Sequence, residues 1–348
     1  MNIYIPTIIE DIKDLRNPYL WTLVNGVQSI DTSLNFLFGY NLFWEDTYNY
    51  EIIHLMWPEC LLEPNKTISE FCSRLEEIRK KGIKVISTCH NLHTHCLQNQ
   101  EENIYDIMYE KSDLIIHMGD YSYNLLNKKF PFVKQIIIPH HVYDELYQPI
   151  VDKRRCCDHI HINPLHSYIL CIGAFRSAEE KNLVLKVEEQ IKDTNIYILA
   201  PTFIERGKRR YLLKYLKFLI QIWQLKRKHS HLIIKGTHVT DSEMVYYYGA
   251  ADLCLIQRLE ILNSGNIPFA LLMGKVVVGP NTGNVGKILK ETGNVSFDPN
   301  DVSTVFPSIK KGLSIGETGS GNANRDYALR ELKTSIIARK IYNIYTTI

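Results

Sequence analysis

The stretch Tyr168-Ile169-Leu170-Cys171-Ile172-Gly173-Ala174-Phe175-Arg176-Ser177-Ala178-Glu179-Glu180-Lys181 decides how this chain is read. An apolar run of strand length gives way, at a glycine, to a polar segment that opens a helix. Arg176 and Lys181 bring a guanidinium and an ammonium to the point where the strand ends. Arginine grips two phosphate oxygens at once, whereas lysine acts as a point charge. About ninety residues further on, Glu260-Ile261-Leu262-Asn263-Ser264-Gly265 opens an apolar, helix-like stretch. Asn and Ser are favoured N-caps, and Gly lets a ligand approach the backbone closely. The first N–H groups of a helix lack intrahelical partners and carry partial positive charge. Together the two segments suit two linked phosphates held without a metal. Singly, each also fits a plainer reading: a solvated turn with two cations, and an ordinary helix cap. The nearly all-apolar Ile267–Leu272, followed through Met273-Gly274-Lys275 by Val276-Val277-Val278-Gly279-Pro280, reads as a buried helix–strand unit that holds the second segment rigidly.

Outward from this stretch, short apolar runs alternate with helical patterns. Strands are expected at Asn2–Ile5, Leu34–Leu37, Ile52–Met56, Val85–Thr88, Leu114–His117 and Gln135–Ile138, with helices near Pro18–Val27, Thr67–Lys81, Ile104–Glu110 and Tyr121–Lys128. Between Tyr143 and Ser167 the pattern lapses around Pro149, Pro164 and the basic run Lys153-Arg154-Arg155, which reads as an interdomain linker. The alternation restarts with strands at Tyr168–Ile172, Ile196–Leu199, His231–Ile234, Leu253–Ile256, Val276–Val278 and Val295–Phe297. Helices are expected near Glu179–Lys192, Lys208–Lys228, Asp241–Gly249, Gly265–Met273, Val285–Lys290 and Val302–Lys311, and a last helix from about Ala323 to Tyr345 follows the Gly-rich break Gly316–Gly321. Alternation of this kind implies right-handed crossovers and mostly parallel sheets. The expected class is α/β, with two Rossmann-like domains facing a cleft: residues 1–150, residues 165–320, and a C-terminal helix over 321–348. Ligands of such sheets bind beyond the carboxyl ends of the strands.

Composition narrows the function. A chain of 348 residues, 45% hydrophobic and 22% charged, can build two ordinary cores. A net charge of +2 gives no global field for nucleic acid, which is not expected as a partner. The first fourteen residues carry Glu10, Asp11 and Asp14 but only one lysine, Lys13, unlike a secretory signal. No apolar run reaches the roughly 18 residues of a membrane span. The expected location is therefore the cytoplasm, including the inner face of the membrane. The eight cysteines lack framework spacing, so reduced thiols are expected, and adjacent Cys156 and Cys157 are not expected to bond to each other.

The same segments resemble the nucleotide-sugar-dependent glycosyltransferases of the GT-B fold, close to the large family-4 group and its β-mannosyltransferase-like relatives. The resemblance rests on Asn17-Pro18-Tyr19, Ile53-His54-Leu55-Met56-Trp57-Pro58-Glu59, Thr88-Cys89-His90-Asn91-Leu92 with His95, and Ile138-Pro139-His140-His141-Val142-Tyr143. In the second half it rests on Gly173 to Lys181, Ala250-Ala251-Asp252, Asn263-Ser264-Gly265 and Phe297-Asp298-Pro299. It covers nearly the whole chain, and the Arg-x4-Lys and Asn-Ser-Gly pieces are the more specific. It implies a donor diphosphate on Arg176 and Lys181 with Asn263, Ser264 and Gly265 beside it. It also implies a nucleotide base against the loop Gly236-Thr237-His238-Val239, and Glu260 near the donor ribose or sugar. The N-terminal domain becomes the acceptor side, the second domain the nucleotide-sugar side, and the last helix packs back toward the first domain. One departure stands out. Family-4 enzymes usually carry two glutamates with seven residues between them, whereas Pro268 stands eight positions after Glu260. Retention of configuration is therefore not implied.

The chemistry follows. Glycosyl transfer builds negative charge on a departing diphosphate, and fixed cations aimed at that oxygen are the useful catalyst. No metal or other cofactor is then required beyond the nucleotide sugar as co-substrate. An inverting enzyme needs a base for the acceptor hydroxyl. His90, directly after a strand, is the first candidate; Glu59 and His140 are weaker ones. Asn17, Trp57 and His95 could line the acceptor side, although Trp57 equally fits core packing. The clusters Cys89 to Cys96 and Cys156 to His161 match no zinc spacing, so no metal site is expected. Arg206 to Lys228 holds nine Lys or Arg and no acid, with apolar residues at helical spacing. Such a helix can dock on an anionic membrane near a lipid-linked acceptor, or bury one face and leave a solvated basic one. The expected function is a metal-independent glycosyltransferase (hexosyltransferase type) acting on a glycan or lipid-linked acceptor. A nucleotide-sugar epimerase of the same fold and a non-catalytic two-domain binding protein are the alternatives.

Overall fold

The computed structural model describes residues 1–8, 17–62, 65–93, 103–204, 212–236 and 239–348, without the side chains of 212–214. The N-terminal segment runs β1 (Asn2–Tyr4), α1 (Pro18–Gln28), β2 (Asn35–Leu37), α2 (Asn41–Trp44), β3 (Ile52–Leu55), α3 (Ile68–Lys80), β4 (Lys84–Cys89), α4 (Ile104–Glu110), β5 (Leu114–His117), α5 (Asp120–Lys129) and β6 (Lys134–Ile137). Its six strands form one parallel sheet in the order β2-β1-β3-β4-β5-β6. Strands β3 and β5 are buried along their whole length, as continuous apolar runs covered on both faces must be. Local chemistry starts the helices. Asn17 caps α1, its side chain accepting from the Tyr19 N–H at 3.0 Å with Pro18 at the first position. Thr67 and Glu70 form a capping box on α3. Helix α2 and a 3₁₀ turn at Pro58–Leu62 were not expected; both are too short to show a helical period.

The second segment runs α6 (Lys153–His159), β7 (Ser167–Leu170), α7 (Ala178–Ile191), β8 (Ile196–Leu199), α8 (Leu212–Lys228), β9 (Leu232–Ile233), α9 (Asp241–Ala250), β10 (Leu253–Leu255), α10 (Asn266–Leu272), β11 (Val276–Pro280), α11 (Gly283–Glu291), β12 (Val295–Phe297), α12 (Val305–Glu317) and α13 (Ser320–Glu331). Its parallel sheet is ordered β12-β11-β10-β7-β8-β9, around a core of Ile169, Val184, Ile198, Leu253, Val278 and Ile309. The expected linker is partly wrong. Its basic run opens helix α6, capped by Asp152, and the Lys153 ammonium pairs with Asp252 at 2.6 Å. A seven-residue helix with charged residues on its surface leaves little apolar period to read.

The expected single last helix is also two. The chain breaks at Leu332-Lys333, and α14 (Thr334–Thr347) follows. Residues Met1–Leu146 with Leu332–Ile348 form one compact unit, and Tyr147–Glu331 the other. The return to the N-terminal unit therefore begins at 332 rather than 321. Helix α13 stays in the second unit because Gly321 lies on the Gly274 backbone and Asn324 donates to the Lys275 carbonyl at 2.9 Å. Helix α14 is pinned in the first unit by Thr334, whose hydroxyl donates to the Val142 carbonyl at 2.7 Å. It packs against α1 at Gly26, where a Cβ would stand 2.9 Å from that of Ala338.

Candidate active site

In the second sheet the chain runs outward one way from β7 through β8 to β9, and the other way from β10 through β11 to β12. The reversal falls between β7 and β10, and ligands of such sheets bind beyond the carboxyl ends at that point. The loop after β7 contains Gly173 to Arg176, and the loop after β10 contains Arg258 to Gly265. The two sequence motifs thus meet at one end of one sheet, within a single unit. Asn266 joins them, donating to the Ile172 carbonyl at 2.8 Å. Gly173 adopts φ +101°, and a Cβ there would meet the Asn266 amide nitrogen at 2.8 Å. Only glycine tolerates both that conformation and that approach.

The cations sit differently from each other. Arg176 is exposed and its backbone N–H donates to Glu180 at 3.0 Å. Lys181 is half-buried, with its ammonium 5.9 Å from the centre of the Phe203 ring. Ser177 caps α7, its hydroxyl accepting from the Glu180 N–H at 3.2 Å. Glu180 is only 4% exposed. Its second oxygen accepts from Arg258 Nε at 3.0 Å, and Arg258 also reaches the Ala174 carbonyl at 3.4 Å. Glu180 thus ties the loop after β10 to the turn that carries Arg176. Sequence reading passed over both members of this pair. The signal was available: Arg258 follows β10 closely, as Arg176 follows β7.

The expected N-cap of α10 needs correction. Neither Asn263 nor Ser264 caps it; Gly265 occupies the cap position in a helical conformation with no side-chain cap bond. The turn begins one residue earlier, where the Ser264 carbonyl accepts from Ile267 at 3.2 Å. Asn263 is drawn instead to Asn284, whose amide donates to it at 2.8 Å, because Gly283 at φ +56° packs directly on Ile261 and Leu262. Glu260 is exposed on the same loop. Val239 is buried just before the Thr240 cap of α9, and His238 lies outside the described residues.

The first unit has its own reversal, between β1 and β3. Beyond the carboxyl ends of its strands stand Trp57 after β3, His90 after β4, and His140 and His141 after β6. Tyr19, in the first turn of α1, is their hub. Its ring centre lies 4.8 Å from each of His90, His140 and His141. Trp57 is half-buried and stacks on His90 at 4.7 Å. Burial holds His90 well below the usual imidazole pKa, with His140 and His54 adding to the effect. Burial likewise lowers His54 to about 3 and His140 to about 4. His140 Nδ1 donates to the His141 carbonyl at 2.7 Å, and His141 Nε2 meets the Thr22 hydroxyl at 2.5 Å. Glu59 accepts from the Tyr105 hydroxyl at 3.0 Å, and its other oxygen is buried without a hydrogen-bond partner. Asn17 serves as the α1 cap, and His95 lies outside the described residues. Tyr105 belongs to none of the motifs, and Tyr19 and His141 stand in motifs without an assigned role. Their role comes from packing across strands far apart in sequence.

Among the described residues, no group of three His, Cys, Asp or Glu side chains is placed to hold a metal ion. No helix there is long and apolar enough to cross a membrane.

No protein-family model matches the sequence, and no curated protein matches it. Solved structures do. Sucrose-phosphate synthase from Thermosynechococcus elongatus is 13% identical with a TM-score of 0.74, the match covering 99% of this chain and 98% of that one. HepE from Anabaena, solved with UDP and glucose, is 8% identical with a TM-score of 0.70 over 100% of both chains. A glycosyltransferase from Rickettsia africae is 15% identical with a TM-score of 0.69, covering 99% of this chain and 97% of that one. The chain has the GT-B fold. Two six-stranded parallel sheets with a last helix returning to the first unit are that fold's parts, and the Arg176 motif stands at the reversal point of the second sheet. At these identities the GT-B fold is what the likeness establishes, since one architecture hosts many specificities.

Proposed function

We propose that the protein is a glycosyltransferase that moves a sugar from a nucleotide-diphosphate donor to a glycan or lipid-linked acceptor. The observation that carries this reading is the Asn266–Ile172 bond at the sheet reversal, which brings the Arg176-x4-Lys181 turn and the Ser264-Gly265 turn to one place. The GT-B fold supports it, as does HepE, which was solved with UDP-glucose.

In this reading Arg176 and Lys181 bind the donor diphosphate, beside the Asn263-Ser264-Gly265 turn. Glu180 and Arg258 hold the turn in place and touch no reacting atom. The bond between the anomeric carbon and the diphosphate oxygen breaks, and its electron pair leaves with the diphosphate. The two cations stabilise that charge as it grows. The acceptor oxygen bonds to the anomeric carbon and loses its proton. His90 takes that proton if configuration inverts; its burial keeps the ring in the neutral form that has a nitrogen lone pair. The partnerless Glu59 oxygen suits an acceptor hydroxyl, which is a hydrogen-bond donor. Trp57 offers a flat apolar face to a sugar, and Asn17 and His140 stand near that end of the sheet. Glu260 would hold donor hydroxyls, and the loop with His238 and Val239 the base. Because the cations suffice, the reaction proceeds without a divalent metal, in the cytoplasm where nucleotide sugars are made.

The test is incubation with a panel of UDP-, GDP- and ADP-sugars, with and without acceptor glycans and lipids. Release of nucleoside diphosphate that depends on the acceptor supports transfer. A changed sugar without release means epimerisation, and binding without either means a binding protein. A chelator should leave turnover intact; loss restored by Mg²⁺ or Mn²⁺ would overturn the metal-independent site.

A further inference from the structure

Helix α8 carries two apolar faces, and only one of them is buried. Phe218 is 3% exposed, and Ile222 and Leu225 are partly buried on the same side, with Leu225 against the core of the second unit. This is the core face. A second set, Leu216, Leu219, Ile220 and Trp223, follows the spacing of one helical stripe. These side chains are 46%, 42%, 53% and 59% exposed. At about 100° per residue the two faces point about 140° apart, so both cannot meet one core. The sequence allowed a helix with one buried face and one solvated basic face. The outer face instead presents four large apolar side chains in a row.

Its charges define what would cover it. The helix contains no Asp or Glu. Lys217 and Lys226 are exposed and flank the stripe on opposite sides. Arg227 continues its axis one turn further, with the guanidinium 5.4 Å from the centre of the Trp223 ring. Exposed Lys228 stands beside it. A second copy of this face would oppose cation to cation. A nucleic acid would match the charge but would leave the stripe in water. A bilayer with anionic headgroups matches both features, since the apolar side chains enter the headgroup–acyl boundary while the basic ones meet lipid phosphates.

We propose that α8 is a docking surface for an anionic lipid bilayer, independent of the donor site. The experiment is co-sedimentation of the full chain with vesicles of phosphatidylcholine alone and of phosphatidylcholine with phosphatidylglycerol. Binding to the anionic vesicles should exceed binding to neutral ones by about tenfold or more, and should weaken as salt rises. Ile220→Asp with Trp223→Ser, and separately Lys226→Gln with Arg227→Gln, should each lower the bound fraction about tenfold. All four positions are exposed, so the melting temperature should hold; the charge pair serves if the apolar pair fails to fold. Failure of the full chain to sediment with anionic vesicles overturns the proposal, as does equal sedimentation of both variants. Light scattering that finds a dimer abolished by Ile220→Asp would assign the stripe to a second copy instead.

Discussion

His90 and Arg176 each stand just beyond the carboxyl end of a parallel strand, β4 in one sheet and β7 in the other, yet their surroundings are opposite. His90 is enclosed by Trp57 and Tyr19, and burial keeps its ring neutral. Arg176 is exposed, and its backbone N–H donates to the buried Glu180. The contrast follows from what each group would do. A proton acceptor must be uncharged before the substrate arrives, and low-dielectric surroundings ensure that. An anion-binding cation must stay charged, and an exposed position favours the charged form. One fold supplies both environments by changing only what packs around the strand ends.

The contrast is most sharply tested at the cations. Arg176→Ala with Lys181→Ala should lower kcat/KM by about a hundredfold or more, since each charge-assisted bond is worth about 1.5–3 kcal/mol. Steady-state assays and a melt on the same sample check it, with the melting temperature expected to hold. Unchanged turnover would break the proposed donor site. Next comes Glu180→Gln, which leaves Arg258 without its anion. Removing one partner of a fully buried pair costs about 3–5 kcal/mol, and Arg258 keeps some solvent, so about 2 kcal/mol is expected by denaturant unfolding. Donor KM should rise with it, because the Arg176 turn loses its anchor.

A comparable effect belongs to the first unit. His54 is fully buried and neutral in the folded protein, with a pKa lowered to about 3. Unfolded, it takes up a proton below about pH 6.5. The unfolded state therefore binds more protons as pH falls, and stability drops by about 2 kcal/mol between pH 8 and pH 5 from this residue alone. His90, His140 and His141 act in the same direction. Unfolding followed across that range should show it; a flat profile would contradict neutral burial. His54→Asn should reduce the drop by about 2 kcal/mol and leave the slope that the other buried histidines supply. The smallest effect concerns rate. If His90 is the base, the midpoint of the acid limb of kcat/KM should lie well below pH 6.5, and His90→Gln should lower kcat with little change in donor KM.

Much of this was legible in the chain. The strands of the described residues lie where apolar runs were read, and β3, β5, β10 and β11 are buried throughout, as parallel strands covered on both faces are. Arg176 and Lys181 were legible because a glycine and a cap mark where the strand ends. The helix at Lys153, the break at Leu332 and the actual cap of α10 were not. Each depends on a partner remote in sequence: Asp252 for Lys153, Asp144 and Val142 for Thr334, and Asn284 for Asn263. Glu180 has its partner, Arg258, on the loop after β10, 78 positions away, so nothing local to Glu180 announces the pair.

By itself the sequence determined the alternating elements, the two parallel sheets and the cationic turn, since periodicity, glycine and cap residues act within a few residues of one another. Only the tertiary structure decided which strands lie side by side. That decided which loops share an end of a sheet, which histidines are stripped of water, and which face of α8 is left without a core. Those are properties of burial, and burial is set by neighbours that no local stretch of chain contains.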